Sequence, residues 1–453
     1  MGILNKLKSF SKLEDVKTQT VARNVFISFF IKVITILVSF LTIPLVLSFL
    51  STTQYGIWLT LTAILNWFSL FDLGFGNGLR NRLTKSLASK EYAEGKIYVS
   101  TTYAALTAIF GLVLIIFIIV NPFVNWCTVF NAPLSMKEDL QQAVTYATSL
   151  LLVQLVMRLI NTVLLSNQRA AMANFTNALV QIFILIGLYI LKTLHYTSLT
   201  SVSVVYSVMP VVVFLGLSIF YFTTTYKHIS PSISFIKVQH IKGLLNIGLS
   251  FFIIQIAALV IYASDNFIIT QLFSPKDVTT YNIAFKYFSI ANILLTIILA
   301  PIWSMTTKAY AEGDFSWIRA SMKKLFLVWI FLAAVLIFQI FVSKPLYKIW
   351  TGNNVAVPFT LSVVMCAYFI VLTWGSIFAN FLNGVGKVRL QLYFSTASML
   401  LNIPLAIIFI KVFHMGLIGI PIATIIITGI ASSISYIQYK KIINLSATGL
   451  WNK

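Results

Sequence analysis

The chain has 453 residues, of which 59% are hydrophobic and only 9% are charged, and its formal net charge is +21. Its mean hydropathy of +0.92 excludes an ordinary soluble protein and indicates an integral membrane protein. The basic balance does not indicate a nucleic-acid partner, because the lysines and arginines collect in alternate segments between apolar stretches.

The first 23 residues are predicted to form an amphipathic segment on the cytoplasmic surface (1–23), since they lack the apolar core and cleavage site of a signal peptide. After them come about twelve apolar segments, each long enough to cross the roughly 30 Å hydrocarbon core as a helix. They occupy residues 24–50, 55–79, 98–121, 143–165, 173–192, 200–225, 246–272, 281–305, 325–343, 359–383, 392–411 and 416–439. We therefore predict an all-α integral membrane protein.

Basic residues are distributed unevenly between the two sides of these spans. With both termini placed inside, 23 of the 32 lysines and arginines fall in cytoplasmic segments, 6 in outer loops and 3 within spans. Because positive charge is retained on the cytoplasmic side, this bias predicts a multi-pass protein of the plasma membrane with cytoplasmic N- and C-termini. The tail at 441–453 is then cytoplasmic.

Short sequence matches suggest that the chain is an internal duplication. Asn24–Ile31 and Asn246–Ile253 share five of eight residues, and Tyr92-Ala-Glu-Gly95 recurs as Tyr310-Ala-Glu-Gly313, both copies being expected in loops. Their offsets, 222 and 218 residues, are similar, which favours a repeat of six spans. We therefore predict two six-helix bundles, 24–225 and 246–440, joined by a cytoplasmic linker at 226–245. An even number of spans per half relates the bundles by a pseudo-two-fold axis along the membrane normal.

Five ionisable residues lie inside the predicted spans, away from the terminal residues of those spans. Lys32, Asp72 and Arg158 lie toward the inner side of the first half, whereas Asp265 and Lys286 form a pair of opposite sign toward the outer side of the second half. A charge inside a membrane helix costs about 3 kcal/mol or more, so it usually faces a bundle interior or a water-filled cavity. Two interpretations stay open. In the first, Lys32 and Arg158 extend to the lipid headgroups, and Asp265 forms a structural bridge with Lys286. In the second, these residues line an anion-binding vestibule.

The sequence contains no motif that predicts nucleotide binding and little that indicates an enzyme. The glycine-rich segment from Asp72 to Asn81 has no preceding strand and no Gly-Lys-Ser/Thr ending, so it does not predict a phosphate-binding loop. The histidines and the two cysteines show no metal-ligand spacing. The outer loops are short and poor in acid–base residues. We expect a protein that is not an enzyme and that holds no metal or cofactor.

Several segments resemble one family of bacterial exporters. They are Pro44-Leu-Val-Leu47, Gln54-Tyr-Gly-Ile-Trp58, Asp72-Leu-Gly-Phe-Gly-Asn-Gly-Leu-Arg-Asn81 and Asn383-Gly-Val-Gly-Lys387. Together with twelve spans in two parallel halves, they resemble the O-antigen and capsule repeat-unit flippases of the Wzx type. These belong to the multidrug/oligosaccharidyl-lipid/polysaccharide (MOP) exporter superfamily, whose fold is MATE-like.

The resemblance implies a protein that flips an undecaprenyl-pyrophosphate-linked oligosaccharide from the inner to the outer leaflet by alternating access. It implies membrane lipids, a polysaccharide polymerase and chain-length machinery as partners, and no nucleic acid. On this hypothesis Lys32, Arg158 and Lys286 bind the pyrophosphate headgroup. Asp72 and Asp265 act in gating or in coupling to H⁺ or Na⁺. Two alternatives are an ion-coupled multidrug exporter of the same superfamily and a membrane enzyme of polysaccharide assembly.

Overall fold

The regular structure of the chain is helical throughout the part that can be described. The computed structural model describes residues 16–68, 75–167, 169–196, 198–241 and 264–452, and every regular element in these ranges is an α-helix or a 3-10 turn. Hydrocarbon offers no hydrogen bonds, so a spanning segment has to satisfy its backbone groups internally, as a helix does. The predicted all-α fold class is confirmed.

Fifteen α-helices are described, and most of them are long. In chain order they are α1 (Val16–Leu47), α2 (Thr52–Phe68), α3 (Phe75–Ala88), α4 (Tyr92–Val120), α5 (Trp126–Val129), α6 (Lys137–Met157), α7 (Leu159–Ser166), α8 (Ala170–Thr193), α9 (Leu199–Thr223), α10 (Asp265–Leu272), α11 (Pro275–Ala311), α12 (Phe315–Thr351), α13 (Phe359–Val385), α14 (Arg389–Lys411) and α15 (Gly419–Ile443).

Ten helical segments of the described chain are long and apolar enough to cross a membrane, and they match ten of the twelve predicted spans. The predicted span 55–79 corresponds to α2 and α3, with residues 69–74 outside the described ranges. The described part of α3 contains Arg80, Arg82 and Lys85, charges that are costly inside hydrocarbon. Most of the predicted span 246–272 lies outside the described residues, as do residues 1–15.

The two copies of the Tyr-Ala-Glu-Gly motif differ in local structure. The first was expected in a loop, but it forms the first turn of α4. There Glu94 accepts hydrogen bonds from the hydroxyls of Tyr98, at 2.6 Å, and Ser86, at 3.2 Å. The second copy straddles the end of α11, and its Gly313 has φ +73°. The motif therefore does not mark equivalent elements, and the duplication stays a prediction.

The chain forms two compact units. The first contains Met1–Phe49, Phe68–Trp126 and Ser135–Phe252. Within it α1 packs on α8, and α9 packs on α6 and α8. At the start of α9 the carboxylate of Asp139 accepts hydrogen bonds from the backbone N–H groups of Leu199 and Thr200, at 3.0 and 2.9 Å. This carboxylate satisfies donors that a helix N-terminus otherwise leaves unpaired.

The second unit contains Leu50–Trp67, Cys127–Leu134 and Ile253–Lys453. Helix α13 is central to it, since α13 packs against α11, α12 and α15, and α14 packs on α15. Aromatic rings fill the space between α12, α13 and α15, with Trp374 stacked on Phe326 at 5.5 Å and in edge contact with Phe378 at 4.9 Å. The predicted bundle boundary at 226–245 stays a prediction; residues 50–67 belong to this unit although they come early in the sequence.

Helix α2 joins the second unit through a set of close polar contacts. Gly56 lies against the backbone of Pro275, and a Cβ added at Gly56 would collide with the Pro275 carbonyl oxygen. The Thr279 hydroxyl donates to the carbonyl of Thr52 at 2.6 Å. Two buried hydroxyls, those of Thr60 and Thr270, are 2.7 Å apart. Small residues commonly allow such approach in membranes, where packing and hydrogen bonds replace the hydrophobic effect between helices.

We expect Gly56→Ala to destabilise the second unit by about 1–3 kcal/mol, because the methyl group has to displace the Pro275 backbone. Thermal unfolding of the purified protein in detergent would measure the loss. Gly216→Ala is the matched control, since a Cβ at Gly216, also within a predicted span, meets nothing within 4 Å. A Gly56→Ala protein that unfolds at the temperature of the Gly216→Ala protein would contradict this account.

Candidate functional site

Two of the predicted cation sites lie in the first unit. Lys32 lies on α1, and Arg158 lies between α6 and α7; both side chains are exposed on the surface of this unit. Asp72, which was predicted to accompany them, lies outside the described residues. Their exposure fits both interpretations, extension to the lipid headgroups and capture of an anion, so the predicted role in binding an anion stays a prediction.

Arg158 interrupts an otherwise continuous helix. Its backbone N–H donates to the Gln154 carbonyl at 2.8 Å, which is the α-helical pattern, but the N–H of Asn161 donates to the Arg158 carbonyl at 2.9 Å, three residues back. One turn of 3-10 type thus separates α6 from α7. Such a turn inside a helix often marks a hinge or a functional position, and no proline in this segment signals it.

An amide pair lies one turn beyond Arg158. The side-chain N–H of Asn161 on α7 donates to the side-chain oxygen of Asn177 on α8, at 3.4 Å. Asn161 is buried, and its own Oδ1 has no hydrogen-bond partner. Because α1 also packs on α8, the helix of Lys32 and the segment of Arg158 share one neighbouring helix. Ammonium, guanidinium and amide groups are each donors that suit an anionic, oxygen-rich ligand.

The carboxylate of Asp265 lies in the second unit and is buried, with 6% of the residue exposed. Its Oδ2 accepts a hydrogen bond from the hydroxyl of Tyr281 on α11, at 2.7 Å. Its Oδ1 is buried without a hydrogen-bond partner. A buried carboxylate oxygen that accepts no hydrogen bond is energetically costly, so this group is a candidate for reversible binding of a proton or a cation.

The described donor to Asp265 is the Tyr281 hydroxyl, and the pairing of Asp265 with Lys286 stays a prediction. Tyr281 and Lys286 are both on α11 but differ by five positions, which separates their side chains by about 140° around the helix. Lys286 is half-buried on another side of α11. Sequence analysis missed Tyr281 because a tyrosine 16 residues from an aspartate forms no recognisable motif.

A second polar contact accompanies this carboxylate. The amide of Asn282 donates to the side-chain oxygen of Asn266 at 2.7 Å, and the amide of Asn266 donates to the Leu59 carbonyl of α2 at 3.3 Å. Polar side chains thus connect α2, α10 and α11. Within the described ranges no group of three His, Cys, Asp or Glu side chains could hold a metal ion.

The sequence matches two protein families and resembles proteins that are named for O-antigen transport. The family described as polysaccharide biosynthesis protein matches residues 21–307, and the MatE family matches residues 251–408. A Yersinia pseudotuberculosis protein named for O-antigen export is 22% identical over 365 residues, which cover 79% of this chain and 82% of the relative. A Salmonella typhi protein named as an O-antigen transporter is 21% identical over the same shares of both chains.

The fold is that of known transporters. A multidrug resistance MATE family transporter of the MOP superfamily, solved in an inward-facing conformation, superposes with a TM-score of 0.77 at 13% identity. The superposition covers 93% of this chain and 98% of the transporter. The predicted MATE-like fold is confirmed. The relatives are named as export and transport proteins, which supports a membrane exporter of the MOP superfamily and not an enzyme.

We expect Tyr281→Phe to lower the thermal stability of the protein, because both oxygens of the buried Asp265 carboxylate then lack a donor. The loss should be about 1–3 kcal/mol. Tyr393→Phe is the control, since Tyr393 is exposed. In a double-mutant cycle, Tyr281→Phe should cost less in an Asp265→Asn background. Equal losses in both backgrounds would show that the hydroxyl does not act through Asp265.

Proposed function

This chain belongs to the polysaccharide biosynthesis protein family, and from that membership we propose that it flips a lipid-linked oligosaccharide across the plasma membrane. The substrate is an undecaprenyl-pyrophosphate-linked repeat unit, carried from the inner to the outer leaflet for O-antigen or capsule assembly. The observation that carries this proposal is the similarity to relatives named for O-antigen export over 79% of the chain.

Such transport requires polar groups that replace water around the charged headgroup, and the first unit contains exposed cations that can serve in this way. A pyrophosphate and its sugars cannot cross hydrocarbon unaided, whereas a polyprenyl tail can stay in the lipid. We assign Lys32 and Arg158 to capture of the pyrophosphate, since both are exposed cations and the guanidinium can donate two parallel hydrogen bonds to phosphate oxygens. Lys286 contributes a third positive charge during passage.

The second unit supplies the candidate for energy coupling. We assign proton or sodium binding to Asp265, because its buried Oδ1 accepts no hydrogen bond in the described structure. Asp72 is the second candidate, on sequence grounds alone. A ligand shifts a conformational equilibrium only by its differential affinity for the two states, so binding at Asp265 would have to differ between inward-open and outward-open forms.

The location follows from the same proposal. The protein would lie in the bacterial inner membrane with both termini in the cytoplasm, as the 23-to-6 bias of basic residues predicts. Its product on the outer leaflet would then be the substrate of a polysaccharide polymerase and its chain-length machinery.

One observation favours a second candidate. The MatE family matches residues 251–408, and multidrug transport is the activity that the superposed MATE transporter is named for. A pump for organic cations would favour an acidic lumen. The ionisable residues predicted in the spans are three basic and two acidic, which favours an anionic substrate.

Deletion of the gene should cause the lipid-linked repeat unit to accumulate on the inner leaflet, with loss of surface glycan. Complementation with Arg158→Gln or Lys32→Ala should restore less than a tenth of the surface glycan, because each substitution removes a charge-assisted contact of about 1.5–3 kcal/mol. Quantitative immunoblotting of surface glycan and of the protein would measure both quantities.

The matched controls are Arg389→Gln and Lys411→Ala, which remove exposed cations near the ends of α14. They should complement fully. Wild-type glycan from well-expressed Arg158→Gln and Lys32→Ala proteins would refute the capture role. Accumulation of unpolymerised units on the outer leaflet after deletion would instead indicate a polymerase, and unchanged glycan with increased drug sensitivity would indicate a multidrug exporter.

For coupling, we expect Asp265→Asn to abolish the response of lipid transfer to an imposed proton or sodium gradient in proteoliposomes. The amide cannot exchange a proton and carries no charge for sodium. Asp277→Asn is the control, since Asp277 is engaged by the Ser274 hydroxyl at the start of α11, at 2.6 Å. A gradient response in Asp265→Asn equal to that of wild type would remove Asp265 from the coupling mechanism.

A further inference from the structure

A cavity of about 170 Å³ lies between α13, α14 and α15, entirely within the second unit. Each of the three helices lines it with positions spaced i, i+4 and i+7, the pattern that places side chains on one face of a helix. We call it the hydroxyl cavity, because most of its polar lining consists of hydroxyl groups. Its polar residues are Ser376 on α13, Gln391, Ser395 and Ser398 on α14, and Thr428, Ser432 and Ser435 on α15.

Three of these hydroxyls donate hydrogen bonds to backbone carbonyls of their own helices. Ser376 donates to the Leu372 carbonyl at 2.8 Å, and Ser435 to that of Ala431 at 2.9 Å. Thr428 donates to a backbone carbonyl one turn earlier, at 2.6 Å. Such back-bonding is the usual fate of serine and threonine in helices, and these groups alone would not indicate a ligand.

The other polar groups do not follow that pattern. Ser398 and Ser432 are more than nine-tenths buried, with 8% and 6% exposed, and both line the cavity. The side-chain oxygen of Gln391, which lines the same cavity, is buried without a hydrogen-bond partner. Buried polar groups are normally hydrogen-bonded, so an unpartnered acceptor and two buried hydroxyls converge on one space.

The charge and size of the cavity limit what it can hold. None of the described residues that line it is ionisable, which disfavours an organic cation or the pyrophosphate. A dry acyl chain would leave the hydroxyls unsatisfied, at a cost. The volume is close to the roughly 150 Å³ of a cavity known to admit a six-membered ring. The Phe394 ring and Leu372 give the space an apolar wall, and pockets that combine apolar walls with a few polar groups are typical of small-molecule sites.

The close approach of α13 and α15 fixes the floor of the cavity. Gly375 lies directly against the Ser432 hydroxyl, so that a Cβ at this position would collide with that oxygen. The glycine therefore allows the Ser432 side chain to lie directly against α13. The cavity hydroxyls come from three helices, and their positions depend on how those helices pack.

We propose that the hydroxyl cavity is a subsite for one uncharged sugar ring of the transported glycan, an inference that rests on the function proposed above. The Ser398 and Ser432 hydroxyls and the Gln391 amide exchange hydrogen bonds with hydroxyl groups of the sugar, and Phe394 contacts an apolar face of its ring. The cavity thus recognises the glycan, whereas the cations of the first unit bind the pyrophosphate.

The test uses the full-length protein in proteoliposomes with two probes: undecaprenyl pyrophosphate carrying the repeat unit, extracted from the native strain, and glycan-free undecaprenyl pyrophosphate. In the double variant Ser398→Ala with Ser432→Ala, the apparent KM for the glycan-bearing lipid should rise about 10- to 100-fold, since each lost hydrogen bond is worth a factor of about 3 to 10. Its kcat, and all transfer of the glycan-free lipid, should stay at the wild-type level.

The matched control removes two hydroxyls from the same helices that point away from the cavity, in Thr396→Ala with Ser433→Ala. Both groups are exposed and bond to their own helices, at 3.0 and 2.9 Å. Ser395→Leu is a second test variant, which fills the cavity from a half-buried position and should raise the same KM. Monodispersity of every variant in detergent would be checked before reconstitution.

The outcomes separate the two proposals. If wild type transfers the glycan-bearing lipid and both test variants keep its KM within about twofold, the hydroxyl cavity is a water-filled packing space and the subsite is refuted. If wild type transfers neither lipid, the proposed function fails and the glycan subsite fails with it. Free sugars of the repeat unit would be added as competitors. Inhibition of wild type but not of the double variant would support recognition of the ring itself; inhibition of both equally would count against the cavity as its site.

Discussion

A polar group inside a membrane has to find its hydrogen bond within the protein, and this constraint determines most of the structure. It makes the spans helical, and it directs the hydroxyls of residues such as Thr60 and Thr373 onto carbonyls one turn back, at 3.0 and 2.6 Å. The groups that escape this rule are few among the described residues. The Oδ1 of Asp265 and the side-chain oxygen of Gln391, which lines the hydroxyl cavity, are the ones on which a function can be proposed.

Glycine helps to meet this constraint, because polar contacts between helices require the two backbones to lie close together and glycine has no side chain to keep them apart. Gly56 brings α2 against the start of α11, where threonine and asparagine side chains then reach across. Gly375 brings α13 against Ser432 of α15 in the same way. In the first case the approach satisfies the polar groups. In the second it places a buried hydroxyl beside a cavity that also contains an unpartnered amide oxygen, that of Gln391. This is the difference between a packing contact and a candidate site.

The two units carry different chemistry. The first presents exposed cations, Lys32 and Arg158, with an amide pair beside Arg158. The second contains an uncharged hydroxyl cavity and a buried carboxylate. A substrate with a charged pyrophosphate and a neutral glycan has the same two chemical parts. The proposed function therefore gives each unit a separate task in recognition, and it accounts for charge being absent from the described lining of the cavity.

The sequence alone determined the helical membrane class, the orientation expected from basic residues and the exporter family, because hydropathy, charge bias and local motifs are properties of consecutive residues. It also identified Asp265 and Arg158, since charges in apolar segments are visible without coordinates. Only the tertiary structure decided that Asp265 accepts a hydrogen bond from Tyr281, that α2 joins the second unit, and that hydroxyls from α13, α14 and α15 meet at one cavity. These facts depend on helix rotation and on contacts between distant segments, which no local pattern encodes.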